Sequence, residues 1–252
     1  MMARYFPMLE EMTGGRMVVE VQGELLPLLA ANHPGLSFIP RLHGVAPEAD
    51  YDLWIGAMSL PYLFGDTADS IPGTKGYIKA PAESLAYWHE RVAQTASHSP
   101  RIGLAWSGNP RHPSDRRRSI PFEMIAPYIA RLSGLTFIAV QTTGMPAQAP
   151  ANLVGPSEEL ITFGDTAALM DALDLIITVD TSAVHLAGAM GKAAWLMLPY
   201  RYEWRWGIEG EKNPWYDTVS VLRQSSHGDW HGILEEIFTK RLPAWLDWKG
   251  GQ

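Results

Sequence analysis

A short apolar run that passes directly into a row of small residues constrains the fold of this chain more than any other feature. Residues 175–179, LIITV, carry no charge and are mostly β-branched, which is the composition of a parallel strand buried on both faces. Asp180, Thr181 and Ser182 follow at once, and residues 183–189 then place Ala, Val, Leu and Gly at helical spacing. The pattern predicts a strand-to-helix junction in an open α/β sheet.

The polar residues of this junction are a candidate ligand site. In an open α/β sheet, ligands bind outside the carboxyl ends of the strands, and the N–H groups at a helix N-terminus favour phosphate. Thr181 or Ser182 is expected at the helix N-terminus, with His185 about one turn further along. The first hypothesis is therefore a diphosphate or nucleotide site that includes Asp180. The alternatives are that Asp180, Thr181 and Ser182 only cap the helix, and that His185 is a core histidine.

The composition and charge exclude several classes of protein. With 252 residues, 46% hydrophobic and 19% charged, the chain suits one large domain or two smaller ones. A net charge of −7 without a long Lys/Arg block argues against nucleic acid or an anionic lipid surface as a partner. The lack of cysteine excludes a disulfide framework, a thiolate zinc site and a cysteine nucleophile. No signal-peptide pattern and no apolar run of about 18 residues occurs, so we expect a soluble cytoplasmic protein.

The first half of the chain alternates strand and helix patterns in the rhythm of βαβ units. Strands are predicted at residues 16–21, 36–39 and 52–57, and helices at residues 1–12, 23–32 and 82–95. Residues 96–100, ASHSP, are a polar break that predicts a hinge. We therefore expect an N-terminal Rossmann-like domain over residues 1–97 and a C-terminal one over residues 98–252.

The second half restarts the same alternation. Strands are predicted at residues 101–106, 135–141, 175–179 and 194–198. Helices are predicted at residues 121–132, 166–172, 183–190 and 229–240, the last with Asp229 as N-cap. About five parallel strands with crossover helices form a Rossmann-like unit.

Several blocks of the second half resemble a known family. They are GLAWSGNP at residues 103–110, RSIP at 118–121, DTSAVHLAG at 180–188, WRW at 204–206 and PWY at 214–216. In this order they resemble the catalytic region of bacterial glycosyltransferases of the heptosyltransferase and O-GlcNAc-transferase-like kind, which commonly follows tetratricopeptide repeats. The resemblance covers nearly the whole chain and is most specific in its second half.

The resemblance implies a GT-B architecture, with two Rossmann-like domains that face each other across a cleft. It implies a nucleoside-diphosphate-sugar donor held mainly by the C-terminal domain, and no metal or other cofactor. It also implies an acceptor with a hydroxyl group, such as a glycan, a lipid-linked sugar or a protein, and inversion at the sugar carbon. By resemblance, Asp180, Thr181 and Ser182 hold the donor diphosphate, and His185 approaches the ribose or the sugar.

The chain departs from the family at its first residues. Family members begin the N-terminal domain with a strand and a glycine-rich loop that ends in an acidic residue, just before a helix like residues 3–7, ARYFP. This chain begins inside that helix, so we expect either a truncated start or the loss of a catalytic element. The base is therefore unassigned, and His185, His112 and Asp115 are its candidates.

The departure leaves three functions open. The first is sugar transfer from a nucleoside diphosphate to a hydroxyl group. The second is a non-catalytic nucleotide-sugar-binding or scaffold protein that keeps the C-terminal site, and the third is an epimerase of related GT-B fold. The helix at Thr181 and an arginine near Arg118 are expected to stabilise the departing diphosphate.

Two further loops are expected at the same edge of the sheet. The loop of Trp106, Ser107, Gly108 and Asn109 follows a predicted strand, so its N–H groups and the Asn side chain are candidates to meet phosphate or sugar hydroxyls. The alternative is a tight turn that needs Gly and Asn. In the second loop, Arg118 and Ser119 are candidates to bind the diphosphate, whereas at least two of the three arginines at 116–118 are expected in solvent.

The remaining candidates are a glutamine and a cluster of aromatic residues. Gln141 ends a predicted strand and is expected either to bind a base or ribose or to cap a loop. Trp204 and Arg205 are expected to reach the cleft, whereas packing is expected for the neighbouring residues Trp206, Trp215 and Tyr216. Residues 58–61, MSLP, are expected to form a structural loop.

Overall fold

The computed structural model describes residues 1–96, 100–156 and 158–251. The strands are β1 (Val18–Val21), β2 (Ser37–Pro40), β3 (Arg101–Ala105), β4 (Thr136–Ala139), β5 (Leu153–Val154), β6 (Leu175–Val179), β7 (Ala194–Leu198) and β8 (Val219–Arg223). The α-helices are α1 (Phe6–Thr13), α2 (Leu26–Asn32), α3 (Leu60–Leu63), α4 (Ala82–Thr95), α5 (Asp115–Arg118), α6 (Phe122–Arg131), α7 (Phe163–Asp171), α8 (Ser182–Ala189), α9 (Trp230–Glu235) and α10 (Leu242–Gly250). Short 3₁₀ turns lie at Met2–Tyr5, Gly23–Leu25, Ala57–Ser59 and Trp204–Trp206, and a π-helical segment at Glu236–Arg241 joins α9 to α10.

The second half folds into a six-stranded parallel sheet with the order β5-β4-β3-β6-β7-β8. Numbered within the sheet, this is the doubly wound order 3-2-1-4-5-6, in which the direction of winding reverses between the first and fourth strands. Those strands are β3 and β6, and Ala105 pairs with Thr178 at their carboxyl ends. The crevice of the sheet therefore opens beside the residues that follow Ala105 and Val179.

The sheet is covered on both faces. Leu175, Ile177 and Val179 belong to an apolar cluster with α6, α9 and the π-helical segment, whereas Ile176 belongs to a second cluster with α4, α7 and α8. All residues of β6 are buried, which explains why this strand carries no charge. The predicted strand-to-helix junction is confirmed.

The first half contains a two-stranded parallel sheet, β1 and β2. Helix α1 ends at Gly14, whose φ of 58° is in the left-handed region that glycine tolerates. Tyr5, Phe6 and Leu28 lie in the same apolar cluster as α7 and α8. The predicted strands at residues 16–21 and 36–39 and the helix that stops near Gly14 are confirmed.

The strand predicted at residues 52–57 is wrong. This segment has no sheet pairing and runs into the 3₁₀ turn at Ala57, and Leu53 and Trp54 are 88% and 81% exposed. Its β-forming composition meets no neighbouring strand in the part of the chain that the structure describes. Two strands of the large sheet were not predicted from the sequence, namely β5, which is two residues long, and β8.

The two halves share an apolar core. Trp88 and Val92 of α4 lie in one cluster with Ala167 and Ala168 of α7. Beside them, Arg91 donates to both carboxylate oxygens of Glu159 at 2.9 to 3.2 Å. The predicted boundary between residues 97 and 98 and most of the predicted hinge lie outside the described residues.

None of the helices that the structure describes is both long and apolar enough to span a bilayer.

Candidate functional site

The carboxyl ends of β3 and β6 bring two loops of the sequence together. The guanidinium of Arg118 reaches from the end of α5 across the crevice, and its Nη1 donates to the carbonyl oxygen of Asp180 at 2.8 Å. Its Nε donates to Asp115 Oδ1 at 3.2 Å. The loop that follows β3 is therefore fastened to the junction that follows β6.

Helix α8 begins at that junction. Thr181 is its N-cap residue, with an extended backbone and a side-chain oxygen that accepts from the N–H of Ala183 at 3.3 Å. Ser182 is exposed at the first helical position. Helix α8 has small residues because it is tightly enclosed: a Cβ placed on Gly188 would overlap the ring of Tyr216. The capping contact that was one of the two possible roles of Thr181 is therefore present, and the positive end of the helix dipole points into the crevice.

Gln141 holds the loop after β3. Its Oε1 accepts from the backbone N–H of Trp106 at 2.9 Å and of Ser107 at 3.2 Å, and its Nε2 donates to Ser107 Oγ at 3.1 Å and to Thr143 Oγ1. Gln141 is buried, and these bonds occupy both ends of its amide. The structure thus shows the loop-capping contacts that were one of its two expected roles.

A second network fastens the next residues of this loop. The N–H of Gly108 donates to Ser119 Oγ at 3.0 Å, and that hydroxyl donates to Asp115 Oδ2 at 3.0 Å. A Cβ on Gly108 would lie 2.6 Å from atoms of both Asp115 and Arg118, so a larger residue here would have to displace the guanidinium or the carboxylate. The expectation that the backbone N–H groups of residues 106–108 face a ligand is corrected here, because all of them are bound within the protein.

The three arginines of the second loop differ in solvent exposure, as expected. Arg116 and Arg117 are exposed, whereas the side chain of Arg118 is only 18% exposed and points into the crevice. Arg118 uses Nε and Nη1 for bonds within the protein. Its Nη2 lies against Gly108 and makes no hydrogen bond to a described residue, so one nitrogen of the guanidinium still has its donors available.

His185 lies one turn into α8 and is held at both ring nitrogens. Its ring stacks on Trp206 with centroids 5.1 Å apart, Nε2 lies 3.3 Å from Arg205 Nη1, and Nδ1 lies 3.1 Å from Tyr216 Oη. Since a guanidinium only donates, Nε2 must accept, which assigns the proton to Nδ1. Burial holds the pKa of His185 well below its usual range, and the positive charges of the Met1 amino group, Arg205 and Arg4 lower this pKa further. His185 is therefore neutral, and its basic lone pair faces a cation.

Asp180 is a buried carboxyl group beside this cluster. Burial raises its pKa, while the Trp206 indole and the charges of Arg205 and Arg118 oppose the rise. Glu203 lies 3.8 Å from Arg205. Cationic and acidic groups are thus interleaved at the end of β6.

Of the other two candidates for a base, Asp115 is engaged in hydrogen bonds and His112 is exposed. Asp115 is buried and accepts from Arg118 and Ser119. His112 is exposed, and its Nδ1 accepts from the N–H of Ser114 at 3.2 Å. The structure thus singles out no base among the three predicted residues.

The aromatic loop after β7 is mainly packing. Trp206, Trp215 and Tyr216 are buried, whereas Trp204 is 67% exposed and meets Trp215 edge to face at 6.4 Å. Asn109 is exposed, and its Oδ1 accepts from the N–H of Arg111 at 2.9 Å. Trp204 and Asn109 therefore remain accessible to a ligand, while the buried rings shape the wall behind His185.

Comparison with known proteins identifies the fold. The heptosyltransferase TibC of enterotoxigenic E. coli, solved with ADP-D-β-D-heptose, matches with a TM-score of 0.51 and 13% identity over 90% of this chain and 59% of TibC. The chain shares its α/β fold with TibC. A family 9 glycosyl transferase of Veillonella parvula has a TM-score of 0.44 and 16% identity, over 90% of this chain and 70% of its own.

In sequence, the chain is similar to protein FlbA of Caulobacter vibrioides. They are 22% identical over 274 residues, which cover 95% of this chain and 43% of FlbA. No protein-family profile matches the chain. The chain thus spans less than half the length of FlbA and about three fifths of TibC.

Arg4 is a buried residue of this region that was not predicted from the sequence. Its side chain is 5% exposed, and it donates to the carbonyl oxygens of Met1, Pro72 and Trp215 at 2.8 to 3.1 Å. A cation in an otherwise apolar helical stretch, between Ala3 and Tyr5, was the available signal. The residues that surround it are distant in sequence, so the pattern alone does not reveal its place behind His185.

Proposed function

We propose that this chain binds a nucleoside-diphosphate sugar and transfers the sugar to a hydroxyl group, as a glycosyltransferase of the heptosyltransferase type. The observation that carries the proposal is the N-terminus of α8 at the β3–β6 crevice, with Arg118 fastened beside it. Doubly wound sheets bind nucleotides at this position. The fold shared with TibC supports the same function.

Each group of the crevice has a task in this proposal. The backbone N–H groups and the side-chain hydroxyls of Thr181 and Ser182 bind the diphosphate, with the free Nη2 of Arg118 as a charged donor. Trp204 and Asn109, which are exposed, are the side chains proposed to meet the base or the sugar. Ser107, Ser119 and Gln141 support the loops that carry these groups.

The reaction would form a bond between the acceptor oxygen and the sugar carbon while the bond from that carbon to the diphosphate breaks. The acceptor proton leaves to a base, and the diphosphate departs with the electron pair. Preorganised N–H groups and a guanidinium stabilise the charge that develops on the diphosphate. We propose inversion at the carbon and no metal, since Arg118 and the helix terminus supply the positive charge.

The proposal includes a GT-B arrangement in which residues 98–252 hold the donor and residues 1–97 face the acceptor. The acceptor would be a glycan, a lipid-linked sugar or a protein. A chain without cysteine suits a reducing compartment, so we propose that it works in the cytoplasm.

A second candidate function is nucleotide-sugar binding without transfer. It is favoured by the state of two predicted bases: the lone pair of His185 faces Arg205, and Asp115 is held by Arg118 and Ser119. Neither of these groups is free to take a proton from an acceptor. Hydrolysis or transfer of a bound donor, followed by chromatography of the released nucleoside diphosphate, separates an enzyme from a binder.

Calorimetry with UDP, GDP and ADP and with their sugar conjugates tests the proposed site. We expect Thr181→Val combined with Ser182→Ala to weaken binding about tenfold, because hydrogen bonds to a charged group contribute about 1.5–3 kcal/mol. The control is Thr239→Val, an exposed threonine in the π-helical segment on the opposite face of the sheet. If a well-folded chain binds none of these ligands, the proposed function is wrong.

A further inference from the structure

One buried cation from the first turn of the chain reaches the wall of the proposed site. Arg4 is 5% exposed, and no Asp or Glu in the described ranges forms an ion pair with it. Burying an arginine without a carboxylate is unfavourable unless its donors are bound. The cost of burying this guanidinium therefore indicates that Arg4 makes contacts that an apolar side chain in the same place could not make.

The contacts of Arg4 join both halves of the chain. Its Nη1 donates to the carbonyl of Pro72 at 2.9 Å, and its Nη2 donates to the carbonyl of Trp215 at 2.8 Å. The guanidinium also lies over three aromatic rings, at 4.7 Å from the Tyr77 centroid, 5.6 Å from Trp215 and 5.2 Å from Tyr216. A planar group with donors on both sides suits this position, whereas a lysine ammonium cannot bridge the two carbonyls in the same way.

The loop that Arg4 fastens is the loop that holds His185. Tyr216 accepts from His185 Nδ1 through its hydroxyl, and its ring fills the space left by Gly188 of α8. Trp215 donates from its indole nitrogen to the carbonyl of Arg205 at 2.9 Å, and Arg205 donates to His185 Nε2. Both partners of the imidazole therefore depend on the segment that Arg4 binds.

We propose that Arg4 is a positioning residue that fixes the Trp215–Tyr216 segment and, through it, the orientation and tautomer of His185 beside the α8 N-terminus. Its effect on donor binding rests on the proposed function. Its effect on His185 does not. The two effects can therefore be measured separately.

Nitrogen-15 NMR of the imidazole rings tests the proposal without any ligand. In the wild-type chain we expect His185 as the neutral Nδ1–H tautomer, identified by comparison with His185→Gln. In Arg4→Lys and Arg4→Met we expect this signature to be lost or mixed with the Nε2–H tautomer, as in Tyr216→Phe. The control is Arg16→Met, which removes the charge of an exposed arginine. An unchanged tautomer in the folded Arg4→Lys chain overturns the proposal.

Calorimetry with UDP, GDP and ADP then measures the consequence for the donor site. We expect Arg4→Lys to weaken the best of these ligands about tenfold, which corresponds to about 1.4 kcal/mol, and Arg16→Met to leave it unchanged. Full affinity in Arg4→Lys overturns the link to the donor site. If the wild-type chain binds none of the three, the proposed function fails, and the NMR result still decides the role of Arg4.

Discussion

At the scale of single residues, His185 shows how the surroundings decide what a side chain can do. An imidazole at a helix terminus near a phosphate site is usually considered as a proton acceptor. Here its accepting nitrogen faces the guanidinium of Arg205, and its other nitrogen donates to Tyr216. The ring therefore acts as a neutral, fixed partner in the wall of the crevice.

The neutral state of His185 predicts a dependence of stability on pH. Because burial lowers its pKa in the folded chain, the unfolded chain binds more protons just below the ordinary histidine pKa of about 6.5. The free energy of unfolding should therefore fall as the pH drops below about 6.5, and His185 alone contributes a slope of up to about 1.4 kcal/mol per pH unit.

Urea unfolding at several pH values between 7.5 and 5.5 measures this slope. We expect the slope to be smaller in His185→Gln than in the wild-type chain. His33, whose pKa is also lowered by burial, adds a similar dependence, so His33→Gln is the matched comparison. Equal slopes in the wild-type chain and His185→Gln would contradict the buried neutral state of His185.

At the scale of elements, helix α8 is confined between the sheet and the aromatic segment. The ring of Tyr216 occupies the space where a side chain at position 188 would begin. We expect Gly188→Ala to lower the free energy of unfolding by about 1–3 kcal/mol, because the rigid ring has no room to move. Chemical denaturation measures this change.

Gly134→Ala is the matched control for that substitution. A Cβ at Gly134 meets no atom within 4 Å, and its φ is not positive. We expect its stability to change little or to rise slightly, since alanine restricts the unfolded chain. A loss at Gly188 no larger than the change at Gly134 would show that α8 is not tightly enclosed.

The elements that could be predicted from the sequence are those with a strong local pattern. Strand β6 is uniformly buried and helix α8 is rich in small residues, so composition alone located them. Strand β5 is two residues long and carries no periodicity. The pattern at residues 52–57 suits a strand. A strand also needs a neighbouring strand to pair with, and the residues of one segment do not reveal whether there is one.

The residues of the candidate site also fall into those that a local pattern reveals and those that only tertiary contacts reveal. Thr181 was predicted because it stands between a strand pattern and a helix pattern, and Arg118 was predicted because it is a cation in a loop expected at the same edge of the sheet. Arg4 was not, because its contacts with Pro72 and Trp215 lie 68 and 211 residues away in the chain. The pairing of loop N–H groups with Gln141 and Ser119 is likewise a tertiary contact.

At the scale of the whole molecule, the first half supports the crevice rather than standing apart from it. Tyr5, Trp88 and Ala187 lie in one apolar cluster, and Arg4 extends from the first turn to Trp215. The wall behind His185 therefore contains residues from both halves of the chain. We consequently expect donor binding to be a property of the whole chain.

Amide NMR during titration with UDP, GDP or ADP reports most directly where a nucleoside diphosphate binds to this chain. We predict the largest shifts at Thr181, Ser182 and Ala183, with smaller shifts at Ser107 and Arg118. Saturable shifts confined to other surfaces, or none with any of the three ligands, would contradict a diphosphate site at the N-terminus of α8.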